Sequence, residues 1–250
     1  LYTGVSALIT QEASQQVITN NIANVNTNGY KADNLAVRQF KEVLLQNYDG
    51  GTKNSPKRQL LGTISLGSAI DDTVTDYSQG IHTQTEKPTD FAIDGKGFFA
   101  VQRGDRVYYS RDGEFKVDYQ GFLVNSSGDR VLGSNLNNGN VEGIYVGNGT
   151  MKLDGNSNIY IDDSLSYNFY TVDFENYNTL EKIGDNLYSS NEATPTKTKI
   201  NQGFLEKSNV STINEMVNMM RVMRNFETGQ KVVQMLDETL SKAANEVGKI

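Results

Sequence analysis

The chain has 250 residues, of which 37% are hydrophobic, with 23 basic and 30 acidic side chains, one histidine and no cysteine. A net charge of −7 with no basic stripe argues against a nucleic-acid partner, and the lack of cysteine excludes disulfides, thiolate zinc sites and cysteine nucleophiles. No apolar run approaches the ~20 residues that span a bilayer, and the first residues lack the basic and continuous apolar regions of a cleaved signal, so neither membrane insertion nor classical secretion is expected.

Leu1 to Asn26 reads as a helix, with Leu1, Val5, Leu8, Ile9, Ala13, Val17, Ile18, Ile22 and Val25 recurring at steps of mostly three to five. Glu12 is its only charged residue, and the remaining positions are Ser, Thr, Gln and Asn where a solvated helix carries Lys and Glu. Such a helix is expected to be packed on several sides. Asn20, Asn21, Asn24, Asn26 and Asn28 follow, and Asn28-Gly29 supplies residues that tolerate positive φ. Asp33 to Gly67 reads as an extended connector after a short amphipathic stretch around Phe40 to Leu45.

From about Ile70 to Ile200 period-two runs such as Phe91 to Asp94, Gly97 to Gln102 and Arg106 to Tyr109 are split by Gly, Asn and Asp. Asp112-Gly113, Tyr119 to Gly121 and Ser127-Gly128 supply hairpin punctuation, which predicts a predominantly antiparallel β domain. Gly95-Lys96-Gly97 resembles the start of a dinucleotide loop, but a strand follows it instead of a helix, so a hairpin turn is expected. Asp154, Asn156 and Asn158 imitate a calcium loop, yet Ile159 stands where that loop needs Gly, so this too reads as a turn. His82 alone cannot build a histidine metal cluster, and Asp71-Asp72 and Asp162-Asp163 read as solvated pairs. The chain is therefore read as a non-enzyme with no cofactor, metal or catalytic residue.

Roughly Val210 to Ile250 reads as a second helix. Met219, Phe226, Val233, Leu240 and Val247 recur every seven residues, with Val222, Gly229, Leu236, Ala243 and Ile250 at the matching offset. A seam of roughly 60 Å needs a partner helix or another subunit, and Met216, Met219, Met220 and Met223 add adaptable apolar contacts. The expected fold is thus α+β. Long N- and C-terminal helices pair as a coiled-coil-like stalk over residues 1–32 and 206–250, with a connector at 33–69 and an antiparallel β domain at 70–205. Val5, Leu8, Ile22, Asn24, Met219, Phe226, Val233 and Leu240 are the candidate assembly residues.

Three motifs carry a resemblance. Tyr2-Thr3-Gly4-Val5-Ser6-Ala7-Leu8 with Asn20-Asn21-Ile22-Ala23-Asn24-Val25-Asn26-Thr27-Asn28-Gly29-Tyr30-Lys31 resembles the N-terminal signature of bacterial flagellar rod and hook proteins. Thr89 to Val101 and Tyr109 to Phe115 look like the family's central β motif, and Gly203 to Val210 with Glu215-Met216-Val217 like its C-terminal signature. The resemblance implies a structural subunit of the basal-body rod, polymerising into a hollow helical tube that transmits torque to the hook and filament and forms part of the export channel. It further implies export through the flagellar type III apparatus and contact with neighbouring rod and hook proteins. The rival expectations are a surface-displayed adhesin or carbohydrate-binding module on a helical oligomerisation stalk, and a hydrolase of unrecognised type.

Overall fold

The computed structural model describes residues 2–47, 59–136 and 138–247. Leu1 and Ile250, both assigned to helical faces above, lie outside them. The protein is α+β, with α1 (Tyr2–Ala23) near the start, α2 (Thr212–Val247) at the end and antiparallel strands between. It divides into two compact units. One comprises Leu1–Ile22, Asp33–Thr75 and Ser211–Ile250, and the other Ala23–Ala32 with Asp76–Val210.

α1 takes in Asn20 and Asn21 and ends at Ala23, after which Thr27 N donates to Asn24 O and turns the chain. Its buried positions are Thr10, Ile18 and Asn21, so two of the three are polar. Each is satisfied, as burial of a polar group demands. Thr10 Oγ1 donates to Ala7 O at 2.8 Å, and Asn21 exchanges two bonds with the backbone of Asp33, at 2.8 and 3.0 Å. The segment expected to be a connector instead forms two antiparallel pairs. β1 (Asp33–Gln39) pairs with β4 (Ser68–Thr75), and β2 (Val43–Asn47) with β3 (Gln59–Ile64). The β-branched and leucine-rich runs at 43–45 and 59–64 favour extended backbone that pairs into strands.

The second unit holds the β domain. β5 (His82–Gln84) pairs with Phe204–Glu206, and β6 (Phe91–Asp94) with Lys199–Gln202. β7 (Phe98–Arg103) is central, pairing with β8 (Arg106–Ser110), Arg130–Asn135 and Thr171–Asp173. Because side chains alternate along a strand, β7 feeds two cores. Phe99 and Val101 enter one with Phe91, Phe115, Leu123 and Phe169, while Phe98 and Ala100 enter the other with Val172, Phe174 and Tyr188. Several of the rings meet edge to face, as Phe99 does Phe115 at 5.2 Å and 80°, a geometry worth about 0.5–1.5 kcal/mol beyond burial.

Two turn expectations fail in detail. Gly95-Lys96-Gly97 does join β6 to β7, with φ of +101° and +126° at its glycines, but these strands pair with other strands and form no hairpin. Asp112-Gly113 likewise closes no hairpin, since β8 pairs with β7 and with Leu187–Ser189. The turns at Tyr119–Gly121 and Ser127-Gly128 do connect paired strands. Asp154 forms a turn by accepting from the backbone N–H groups of Asn156 and Asn158.

Candidate assembly site

Between Met216 and Asn245 on α2, the positions withdrawn from solvent are Asn218, Met219, Val222, Phe226, Gly229 and Val233. Five of these six belong to the seven-residue seam. The terminal helices meet at two places on this line, Gly229 and Val233. A Cβ built on Gly4 would stand 3.0 Å from Val233 Cγ2, and one built on Gly229 would stand 2.9 Å from Leu8 Cδ2. Of the candidate residues, Leu8, Met219, Phe226 and Val233 are therefore half-buried, and two of them, Leu8 and Val233, lie at these glycine contacts. Ile22 and Asn24 are also half-buried, and Asn24 Oδ1 accepts from Thr27 Oγ1. Val5 and Leu240 are exposed, at 41% and 55%.

Beyond Val233 the seam continues, but its cover stops. Leu236 and Leu240 are exposed, as are Val232 and Met235 beside them. Of the methionine cluster, Met216, Met220 and Met223 are exposed and only Met219 is half-buried. A second apolar surface, not singled out from the sequence, lies on β2 and β3, where Val43, Leu44, Leu45, Leu60, Leu61 and Ile64 are all exposed. Its signal was legible as paired leucines at 44–45 and 60–61. Contiguous exposed apolar surface of this kind marks interaction sites.

Inside the second unit is a charged cluster that sequence reasoning missed. Lys31 and Glu206 have side chains 0% and 1% exposed, with Nζ and Oε1 2.5 Å apart. Lys31 Nζ also donates to Ser78 O at 2.7 Å, and Gly80 N donates to Glu206 Oε1 at 2.9 Å. Arg111 Nη1 donates to Glu206 Oε2 at 3.2 Å and Nη2 to Gly95 O at 2.7 Å, while the guanidinium sits over the Phe98 ring. Burial pushes the Lys31 ammonium below its usual range, against the opposing pull of Glu206. One buried carboxylate thus serves two buried cations. Gly29 is required beside it, because its φ is +70° and a Cβ would meet the Arg111 carbonyl carbon at 2.5 Å. No composition rule could foretell a fully buried lysine, since Lys is almost never buried unless paired.

His82 Nε2 lies 2.8 Å from Gln79 Nε2, so it belongs to a local side-chain pair. Among the described residues, no group of three or more His, Cys, Asp or Glu is placed to hold a metal ion, and no helix is long and apolar enough to cross a membrane.

Three family models match the chain. Residues 1–31 match "Flagella basal body rod protein", residues 92–172 "Flagellar hook protein FlgE/F/G D1 domain", and residues 201–246 "Flagellar basal body rod FlgEFG protein C-terminal". Each contributes one member of the ion cluster, Lys31, Arg111 and Glu206 in turn. The chain is 32% identical over 265 residues to the flagellar basal-body rod protein FlgG of Bacillus subtilis (strain 168), covering 98% of this chain and 97% of that protein. It is 30% identical over 273 residues to the flagellar basal-body rod protein FlgF of Caulobacter vibrioides, covering 100% and 98%. With the flagellar hook-basal body complex protein FlhO of B. subtilis it shares 29% identity over 272 residues, again covering 100% and 98%.

Proposed function

The chain belongs to the flagellar basal-body rod protein family, and we propose that it builds the rod by burying its terminal seams against other copies of itself. Its role is that of a structural subunit of the rod. The observation that carries the assembly reading is the mismatch in cover along α2: the seam is shielded as far as Val233 and bare at Leu236 and Leu240. A helix of 36 residues is about 54 Å long, well beyond the roughly 33 Å that the 22 residues of α1 can line. The remaining seam is completed by helices of neighbouring subunits, pairing in coiled-coil fashion.

Val5, Leu8, Ile22, Asn24, Met219, Phe226, Val233 and Leu240 are the assembly residues of this reading, and the exposed apolar face of β2 and β3 joins them. Contacts of this heterologous kind that do not close generate a helical tube, which carries torque when its interfaces are numerous. The role is structural and not catalytic. Passage through the flagellar type III apparatus and end contacts with other rod and hook proteins complete the proposal.

Amide exchange on dilute, verified monomer and on the polymer tests it. Amides of α2 after Val233 are expected to exchange freely in the monomer and to be protected on assembly. Full protection of that stretch in the monomer would overturn the reading. Leu240→Lys is expected to raise the concentration needed for polymerisation with no change in monomer melting.

A further inference from the structure

The bonds that hold residues 28–32 onto the β domain reach far along the chain. Gly29 N donates to Glu206 O at 2.8 Å, Lys207 Nζ to Asn28 Oδ1 at 2.9 Å, and Ala32 N to Asn209 Oδ1 at 2.8 Å. Residues 76–81 are held by the same late stretch. Asn209 Nδ2 donates to Asp76 O at 2.8 Å, Gly80 N to Glu206 Oε1, and Lys207 N to Ile81 O at 2.9 Å. The single amide of Asn209 therefore uses its acceptor on one segment and its donor on the other. The two segments also bond to each other, through Asp76 N to Ala32 O and Lys31 Nζ to Ser78 O.

Electrostatics makes this arrangement conditional. Residues 28–32 have other partners, since Asn28 Nδ2 donates to Glu114 and Lys182 Nζ donates to Lys31 O. Docking on those partners alone, however, would take the Lys31 ammonium, 0% exposed in the closed fold, out of water without its ion-pair partner Glu206, leaving only the weaker pull of the Asp76 carboxylate. An unpaired buried ion is among the most costly arrangements a fold can contain. Glu206, 175 residues away, is what removes that cost.

We propose that residues 206–209 are a clasp that gates docking of the N-terminal segment: residues 28–32 and the strap at 76–81 close onto the β domain only once this late stretch is in place. A chain that lacks it, because the stretch has not yet been synthesised, translocated or folded, keeps its N-terminal segment free. The subunit cannot fix the segment that follows α1 before the segment that precedes α2.

Pulse-labelled hydrogen exchange during refolding of the full chain tests the order. Gly29 and Ala32 are expected to gain protection in the same phase as Lys207, after Leu123, whose amide bonds to Ile144 O within the β core. Protection of Gly29 and Ala32 together with Leu123, or before Lys207, would overturn the clasp. Native-state exchange in Asn209→Ala supplies a second reading. Gly29, whose own acceptor that substitution leaves in place, is expected to exchange about tenfold faster while Leu123 stays within about twofold. An unchanged rate at Gly29, or an equal increase at Leu123, would mean that the segment is either held independently or is one cooperative unit with the core, and either result sinks the proposal.

Discussion

Leu8 lies against the open side of Gly229, close enough that a Cβ on the glycine would stand 2.9 Å from Leu8 Cδ2. Glycine in a helix interior costs about 1 kcal/mol relative to alanine, so its place at a seam position is explained by close approach of the two helices. Gly229→Ala gains helix propensity, and the flexible end of Leu8 can yield to one methyl. Gly229→Ile cannot be accommodated so. It is expected to separate α1 from α2 and to abolish polymerisation, whereas Gly229→Ala polymerises, as sedimentation of the two variants would read out.

The same approach can be trapped covalently. Gly4 and Val233 stand with a built Cβ 3.0 Å from Val233 Cγ2, which puts the two Cβ positions within about 4.5 Å, inside the range that a disulfide bridges. The native chain has no cysteine, so Gly4→Cys with Val233→Cys gives an unambiguous pair. Rapid intramolecular oxidation of the monomer, seen as a mobility shift under non-reducing electrophoresis, is the expected outcome. Failure to oxidise without added partner chains would show that the helices do not meet in one subunit.

Much of this was legible because it rests on local periodicity. The seven-residue recurrence on α2 picked out Met219, Phe226 and Val233, which are withdrawn from solvent, since repeat spacing and helical geometry are the same fact. The β domain was legible from alternation along runs such as Phe98 to Val101. What escaped depends on long-range pairing. Lys31 reads as an ordinary solvated cation until Glu206 is brought to it across 175 residues. The strands at 33–47 and 59–75 escaped because apolar residues on both faces of a two-stranded ribbon give no clean alternation.

The Lys31–Glu206 pair predicts an asymmetry between buried and exposed ion pairs. Glu206→Ala leaves two buried cations without their hydrogen-bonded carboxylate and is expected to cost about 3–5 kcal/mol, lowering Tm by roughly 6–20 °C. Lys152→Ala removes a pair whose side chains are 68% and 85% exposed and is expected to leave Tm unchanged. Equal, small effects in calorimetry would show that the buried cluster is not closed in solution.

Two glycines make a matched steric test. A Cβ at Gly80 would collide with the Lys207 carbonyl, a backbone atom that the clasp holds in place, while one at Gly155 meets nothing within 4 Å. Gly155 also has no positive φ, so Gly155→Ala is expected to stabilise by about 0.4–1 kcal/mol through the unfolded chain. Gly80→Ala is expected to destabilise and to raise exchange at Asp76 and Lys207. A Gly80→Ala variant as stable as its parent would mean the strap at 76–81 is not closed onto residues 206–207.

The half-buried carboxyl of Asp112 sets a pH dependence. Burial is the main cause that pushes it from the ordinary 3.8 up to about 6, with the charges of Glu114 and Asp90 adding and the Glu114 N–H, 3.0 Å from Oδ1, opposing. A folded-state pKa above the unfolded one means that the folded state binds more protons between pH 4 and 6. Stability from this group is therefore fully present below about pH 4 and is lost as pH rises through about 6, a difference of at most about 3 kcal/mol. Asp112→Asn keeps an acceptor for the Glu114 N–H and removes the ionisation. It is expected to be more stable than its parent by about 2–3 kcal/mol at pH 7.5, and the gap should close towards pH 4. Chemical unfolding of both proteins across that range measures the gap directly, and subtracting one curve from the other cancels the remaining carboxylates. A gap that does not change with pH would show that Asp112 titrates alike in the folded and unfolded chain.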